Sequence, residues 1–455
     1  MTHLFRVFIP TSIVGLVISE VLVVFVLFTA AIAVQGTISW QADHTYLIFF
    51  LTQEGGLASV TIVTGVLIFG LYLNDCYTRL RMRSRTVFLQ QLCLVIGVAF
   101  LLQALFSYAR MDIRMPRQSM LLGSIFCMFL LPAWRTAYGK VSLMVLGAER
   151  LLFVGTHPLQ MKLAQFLIDH PEFAMQTAGF IPEAELGSLE SYLRSHRVDR
   201  MIVGLKEEDP RALLEIARLP ATGARTESLT DLHEQVFGRV AIAQLNPLQI
   251  LFRKGLVPAG YRLQLQLIYS WAIAAIAVIL LLPVILATAI AVRISSPGPV
   301  LFRQVRTGRN NKPFTLFKFR SMRQDAEAAT GAVWAQENDP RVTKLGKLLR
   351  KYRLDELPQL FNVLRCEMAI VGPRPERPEF VNVLAEKIPF YNHRHTVRPG
   401  ITGWAQINYR YGNTIEDTVF KLEYDLYYIK HFAPSLDFYV MFHTAKTMLL
   451  TRGAY

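Results

Sequence analysis

Two adjacent carboxylates, Asp355 and Glu356, stand in the stretch Arg353-Leu354-Asp355-Glu356-Leu357-Pro358-Gln359. The region around them is basic: from Leu301 to Tyr455 there are 24 Lys/Arg against 15 Asp/Glu, which supplies +9 of the chain's +14. Cations in such a field hold a polyanion, and an acidic pair among them binds a divalent metal or attacks phosphorus. Adjacent carboxylates repel unless a cation lies between them. Mg2+ is the natural partner, because it takes oxygen ligands and bridges to phosphates. The pair also has a plainer reading. Pro358 suits the first turn of a helix running to Arg365, and acidic residues at a helix start act as caps.

Candidate phosphate binders surround the pair in sequence. Lys318 and Arg320, in Lys318-Phe-Arg-Ser-Met322, are two apart at the end of a strand-like run and so share a face. Arg350 lies five residues before Asp355, and Arg374 and Arg398 sit in Val371-Gly-Pro-Arg374-Pro375 and Arg398-Pro-Gly400. Rigid turns fix a guanidinium so that it can grip phosphate oxygens through two hydrogen bonds. Any one of these arginines alone reads more simply as surface charge; it is their grouping around one acidic pair that points to a site. His393 and His395, spaced by two and lacking a third ligand, fit interfacial or phosphate-neighbouring roles better than metal binding. No P-loop, Ser-His-Asp spacing or nucleic-acid module is present.

The elements that must position these groups are partly membrane-bound. Hydrophobic residues make up 52% of the 455 and charged residues only 18%, unevenly spread. Next to apolar segments, the excess positive charge favours anionic lipid or a phosphorylated substrate over nucleic acid. Cys76, Cys93, Cys127 and Cys366 lie far apart and imply no disulfide framework. No short apolar core with a small-residue cleavage site begins the chain, so a removed signal peptide is not expected.

Four apolar segments, at about 13–34, 57–74, 87–108 and 119–138, have the length of spanning helices. The loop 35–56 lacks Lys and Arg and reads as external. Arg79, Arg81, Arg83 and Arg85, and later Arg135, Lys140 and Arg150, read as cytoplasmic, whereas Arg110, Arg114 and Arg117 run against the pattern. From Leu151 the period changes to strand–helix alternation: Leu151–Gly155, a helix to Ile168, Arg200–Gly204 and a helix near Arg211–Leu219. This suggests a small doubly wound module. Its first turn reads Gly155-Thr-His-Pro, too poor in glycine for a pyrophosphate, so a structural or regulatory role is expected. A fifth apolar run, 267–292, contains Pro283 and has basic residues at both ends. It suits a helix that enters the membrane, breaks and returns to the same face; an ordinary kinked spanning helix is the alternative. Beyond Ser295 the pattern is a compact α/β unit, with strands at 300–306 and 314–320 and helical spacing at 355–364 and 420–430.

From about Leu251 onward the chain resembles the bacterial sugar transferase family, the monotopic phosphoglycosyltransferases. The resemblance rests on Gly298-Pro-Val-Leu-Phe-Arg-Gln304, Lys318-Phe-Arg-Ser-Met322, Asn338-Asp-Pro-Arg341, Leu354-Asp-Glu-Leu-Pro-Gln359, Val371-Gly-Pro-Arg-Pro375, Pro399-Gly-Ile-Thr-Gly-Trp404 and Tyr424-Asp-Leu-Tyr-Tyr428. It implies transfer of a sugar-1-phosphate from a UDP-sugar to undecaprenyl phosphate with release of UMP, priming exopolysaccharide, capsule or O-antigen synthesis. It implies Asp355 as nucleophile, Glu356 as its partner at the Mg2+ site, and Lys318, Arg350 and Arg374 as phosphate binders. Pro283 takes the place of the family's helix-breaking proline. Leu282 stands where Ser is common before that proline, and Gly260–Tyr269 lacks the Asp often found at the helix entry.

The expected architecture is a membrane protein of α plus α/β class. Four transmembrane helices occupy 1–145, a Rossmann-like module 146–250, and a monotopic catalytic domain with a re-entrant helix 251–455. The resemblance places it in the bacterial inner membrane with the catalytic domain on the cytoplasmic face. Expected partners are the two substrates and downstream polysaccharide assembly enzymes, with a homo-oligomer left open. The competing reading is a non-catalytic scaffold of that machinery. The transferred sugar is not legible.

Overall fold

The computed structural model describes residues 2–4, 7–40, 45–52, 55–78, 85–109, 115–205, 210–218, 224–242, 256–323, 341–409 and 414–449. Asn338, Asp339 and Pro340 of one family motif, and the loop arginines Arg79, Arg81, Arg83, Arg110 and Arg114, lie outside these residues. The chain divides into two compact units, one essentially Phe8–Leu229 and the other Thr230–Tyr455 with His3–Val7.

In the first unit, helices α1 (Thr11–Trp40), α2 (Gly56–Leu73), α3 (Arg85–Ala109) and α4 (Arg117–Leu146) coincide with the four apolar segments. Each is long and apolar enough to cross a membrane. Leu16, Val24, Phe28 and Ile32 recur at helical spacing on α1 and pack with Val60, Val63, Leu67 and Leu71 of α2. The opposite faces leave residues such as Leu22, Val26 and Leu101 exposed, as lipid-facing surface requires. Glu20 is buried among these helices and ion-paired with Arg135, and it accepts a hydrogen bond from the Tyr77 hydroxyl at 2.7 Å. The expected loop 35–56 is partly helical: α1 runs on to Trp40, and the apolar stretch Thr45–Thr52 forms a short helix of its own.

The strand–helix pattern is a four-stranded parallel sheet of β1 (Glu149–Val154), β2 (Met175–Ile181), β3 (Arg200–Val203) and β4 (Arg225–Ser228) in the order β2-β1-β3-β4. Helices Pro158–Asp169 and Pro210–Arg218 match the two helical stretches read from sequence, whereas β2 and β4 carry too few consecutive apolar residues to stand out. Gln160 is buried between the carboxyl ends of β1 and β3, donating to the Val154 carbonyl at 3.0 Å and the Gly204 carbonyl at 3.3 Å. These bonds lie at the carboxyl ends of the strands, the end at which such sheets usually bind ligands.

The second unit begins earlier than the boundary at 250 read from sequence. Helix α5 (Leu229–Phe237) sends Glu234 to Lys430, and the following segment pairs with Glu423. Arg239 reaches the Glu423 carboxylate at 2.9 Å and Val240 N–H the Glu423 carbonyl at 3.1 Å. The Trp404 indole donates to the Gly238 carbonyl at 2.8 Å.

The fifth apolar run is α6 (Gly260–Ser295), 36 residues assigned as one helix with Pro283 inside it. The break expected at Pro283 is therefore not a chain turn between two helices. Proline removes one backbone donor, and the helix continues on both sides of it. Its entry buries Leu263, Gln266, Ser270 and Ala274, and its second half buries Ile285, Thr288 and Val292. Ala274 packs with Leu316, Leu360 and Val363, and Ile285 and Val292 with Phe319 and Leu349. The same unit thus covers one side of the helix along most of its length, while Ile276, Ile279, Leu280, Leu286 and Ile290 stay exposed.

Strands β5 (Leu301–Thr307) and β6 (Pro313–Phe319) form an antiparallel hairpin. Helix α7 (Lys344–Lys351), a 3-10 turn at Leu354–Glu356 and helix α8 (Gln359–Leu364) follow. Strands β7 (Ala369–Val371) and β8 (Gly400–Thr402) pair in parallel, and helices α9 (Ile415–Lys430) and α10 (Pro434–Leu449) cover them.

Candidate active site

Asp355 and Glu356 lie in the 3-10 turn between α7 and α8, with Pro358 as the residue preceding α8. Arg353 enters that turn with φ 54°, the left-handed region, which swings the chain sharply from α7 into the acidic pair. On the other side, Asn362 ties α8 to the hairpin. Its amide donates to the Thr315 carbonyl at 2.7 Å and its carbonyl accepts from Phe317 N–H at 3.0 Å. Asn362 is wholly buried, so these bonds fix the distance between the acidic turn and β6.

Three cations converge on Glu356. Lys318 Nζ on β6 lies 3.3 Å from Oε1, Arg374 after β7 lies 3.2 Å from Oε1, and Arg353 lies 3.5 Å from Oε2. Burial alone would raise the Glu356 carboxyl, but Lys318, Arg374 and Arg353 outweigh it and hold the group at about 2. Asp355 behaves oppositely. It is 7% exposed and, among the described residues, its carboxylate makes no hydrogen bond or ion pair. Burial pushes its carboxyl up, and the Glu356 charge adds to this against the pull of Lys318, Arg350 and Arg374. One carboxylate is thus neutralised by fixed cations, while its neighbour is desolvated and left with a lone pair to use.

Of the residues singled out from sequence, the fold brings Lys318, Arg350, Arg374, Asp355 and Glu356 together. Arg350 is aimed by the Ser321 hydroxyl, 3.1 Å from its Nε. Arg320 departs from the expected shared face with Lys318 because β6 ends at Phe319. Its guanidinium turns back to the end of α6, donating to the Ser296 carbonyl at 2.7 Å and hydroxyl at 2.9 Å. Arg398 donates to the Cys366 carbonyl at 3.1 Å and has Arg309 as its charged neighbour. His395 is buried against Asn311. Arg353 was not anticipated: it reaches Glu356 from a left-handed backbone position ahead of the turn, not along a helix face.

Backbone packing sets the remaining geometry. Gly372 and Gly400, from two separate motifs, pack backbone to backbone. A Cβ on Gly372 would meet the Arg398 carbonyl at 2.3 Å, and one on Gly400 would meet Gly372 N at 2.1 Å. Gly346 in α7 lies against the Ser321 carbonyl, 1.9 Å from where a Cβ would stand. Gly346→Ala should therefore displace α7 and detach Arg350 from Ser321, at a cost of about 1–3 kcal/mol. Misplacing Arg350 by an ångström should slow turnover by up to about 100-fold. Thermal unfolding and initial rates on the same preparation check this, and unchanged rates would remove Arg350's dependence on this packing.

Comparisons with known proteins give the family. The family model for Bacterial sugar transferase matches residues 261–451. The UDP-glucose:undecaprenyl-phosphate glucose-1-phosphate transferase of Xanthomonas campestris pv. campestris is 34% identical over 330 residues, covering 68% of this chain and 68% of the relative. The chain belongs to the bacterial sugar transferase family. The UDP-N-acetylgalactosamine-undecaprenyl-phosphate N-acetylgalactosaminephosphotransferase of Aeromonas hydrophila is 41% identical over 260 residues, covering 57% of this sugar transferase and 60% of the relative. The UDP-glucose:undecaprenyl-phosphate glucose-1-phosphate transferase of Escherichia coli strain K12 is 44% identical over 185 residues, 40% of each chain. The matches to the Aeromonas and Escherichia proteins span less than two thirds of those relatives' lengths.

Among the described residues, no group of three or more His, Cys, Asp and Glu side chains could hold a metal. Mg2+ does not need such a group, since it binds through one or two carboxylates and completes its shell from phosphate and water. Asp355 and Glu356 fit that donor set, and the unpartnered Asp355 carboxylate supplies the vacant oxygens.

Proposed function

We propose that this protein transfers a sugar-1-phosphate from a UDP-sugar to undecaprenyl phosphate through an aspartyl intermediate on Asp355. The observation that carries the proposal is the asymmetry of the pair: a raised, unpartnered Asp355 beside a Glu356 clamped by Lys318, Arg353 and Arg374. The Asp355 carboxylate attacks the phosphorus that bears the sugar. The bond from that phosphorus to the bridging oxygen breaks, and UMP leaves. The acceptor's phosphate oxygen then attacks the same phosphorus, releasing Asp355 and forming the lipid-linked diphosphate sugar. Desolvation makes Asp355 a better nucleophile than a hydrated carboxylate. Lys318 and Arg374 spread the charge that develops on the transferred phosphoryl oxygens, and Arg350 serves the same field. Asp355 and Glu356 would hold Mg2+, which when bound neutralises the phosphoanhydride.

The site would face the cytoplasm from the inner membrane, at the start of exopolysaccharide, capsule or O-antigen assembly. Packing of one unit along α6 favours a helix that stays at one face. From Gln266 to Val292 a helix rises about 39 Å, more than the roughly 30 Å hydrocarbon core. A straight crossing would draw the packed unit into lipid. Relatives named for two different UDP-sugars, UDP-glucose and UDP-N-acetylgalactosamine, support a UDP-hexose or its N-acetylated form as the donor.

Purified protein given a UDP-hexose without acceptor should release UMP to about one equivalent per site, then turn over when a short polyprenyl phosphate is added. A chelator should stop the release and Mg2+ restore it. Turnover with acceptor but no UMP without it would sink the covalent step. No turnover on any UDP-hexose would favour a non-catalytic scaffold.

A further inference from the structure

The turn Val371-Gly-Pro-Arg374 carries Arg374 to Glu356, and buried side chains hold it at both ends. At the Arg374 end, the Arg394 guanidinium donates to the Arg374 carbonyl at 3.0 Å. Arg394 is in turn gripped by Asp425, at 3.1 Å from Nε and 2.9 Å from the NH2 nitrogen, and donates to the Tyr391 hydroxyl at 2.7 Å. Arg394, Asp425 and Tyr391 are all buried. At the Val371 end, the carbonyl lies 3.2 Å from the Tyr428 hydroxyl and 3.1 Å from the Gln266 amide of α6. Asp437 completes that end, 2.7 Å from the Tyr428 hydroxyl and 2.8 Å from the Gln266 amide.

Asp425 and Tyr428 are three residues apart on α9 and therefore lie one above the other on the same face. Neither touches the acidic pair. We propose that this face of α9 is a clamp that aims Arg374: Asp425 acts through Arg394 at one end of the turn, and Tyr428 acts with Gln266 of the membrane helix at the other. Asp425, Arg394 and Tyr428 are then positioning residues for the phosphoryl-transfer step, and the clamp sets the donor-phosphate arginine at a fixed place relative to the membrane helix. The planar guanidinium of Arg394 is suited to this, since it can serve a carboxylate, a hydroxyl and a backbone carbonyl at once, which an ammonium cannot do in the same plane. The inference rests on the transfer reaction proposed above. A buried Arg–Asp pair that merely holds the fold together is what the experiment must separate from it.

The test uses full-length protein in membrane mimetic, with UMP release from the accepted UDP-hexose as the readout. Asp425→Asn should lower kcat/KM by about tenfold. In an Arg374→Ala background the same change should cost no more than about twofold, because residues acting through one group are non-additive. Arg394→Lys should behave as Asp425→Asn does. Equal factors in both backgrounds would overturn the clamp, as would a loss that follows the fall in unfolding temperature alone. If Asp425→Asn fails to fold, Tyr391→Phe decides instead, since it removes one bond and strands no charge. It should slow the wild-type background about threefold and leave the Arg374→Ala background unchanged, and equal slowing in both would overturn the proposal. Wild-type protein inactive on every UDP-hexose would remove the underlying reaction and the clamp with it. An active wild type with multiplicative variants removes the clamp alone.

Discussion

Asp355→Asn should reduce formation of lipid-linked sugar by at least about 1,000-fold, which corresponds to ~4 kcal/mol of transition-state stabilisation. The amide keeps the size of the side chain and cannot form the acyl phosphate, so UMP release without acceptor should vanish as well. The fold should survive. The Asp355 carboxylate has no hydrogen bond or ion pair among the described residues, so its replacement strands no partner. Burying a neutral amide in place of a desolvated carboxylate should leave the unfolding temperature level or raise it. A variant that is at least as stable yet inactive is the expected signature. If Asp355→Asn retained full turnover, the nucleophile would have to lie elsewhere.

Glu356→Gln should cost on the order of 100-fold, for a different reason. Glu356 is the counter-charge to Lys318, Arg353 and Arg374. Without it these cations repel one another and no longer share one anchor. The variant should also carry a pH signature. Burial and the Glu356 charge both raise Asp355, while Lys318, Arg350 and Arg374 lower it. Removing the Glu356 charge deletes one raising influence and leaves the lowering ones, so Asp355 ionises at lower pH. The acid limb of the residual rate should therefore move to lower pH than in the wild type. A pH–rate profile measured on both proteins checks the sign, and an acid limb that moved upward would mean that Asp355 does not titrate in the reacting form.

The site was legible where its chemistry sits in short contiguous runs. Asp355, Glu356, Lys318 and Arg374 each belong to a motif whose residue types already suggest phosphate chemistry, and the fold brings them together. Arg320 and Arg398 have the same residue type and similar motif surroundings, yet they bond to Ser296 and to the Cys366 carbonyl. Residue type cannot distinguish an arginine that joins the acidic pair from one that ties down neighbouring backbone, because the difference lies in how the chain turns around each motif. Arg353 escaped notice because its reach to Glu356 depends on a left-handed backbone, which sequence rarely announces. The membrane helices were plain because apolar runs of that length have few other uses. β2 and β4 were missed because their faces are mixed, and tertiary pairing supplied what local pattern did not.

The seam at Thr230 bears on any exchange of parts between relatives. Helix α5 and the strap Gly238–Ile242 lie before the region matched by the family model, yet their bonds go to Glu423, Lys430 and Trp404 inside it. A chimera joined at 251 would inherit an indole, an ammonium and a carboxylate whose mates came from a different parent. Grafts should be cut ahead of α5, so that donor and recipient each keep a matched set across the join.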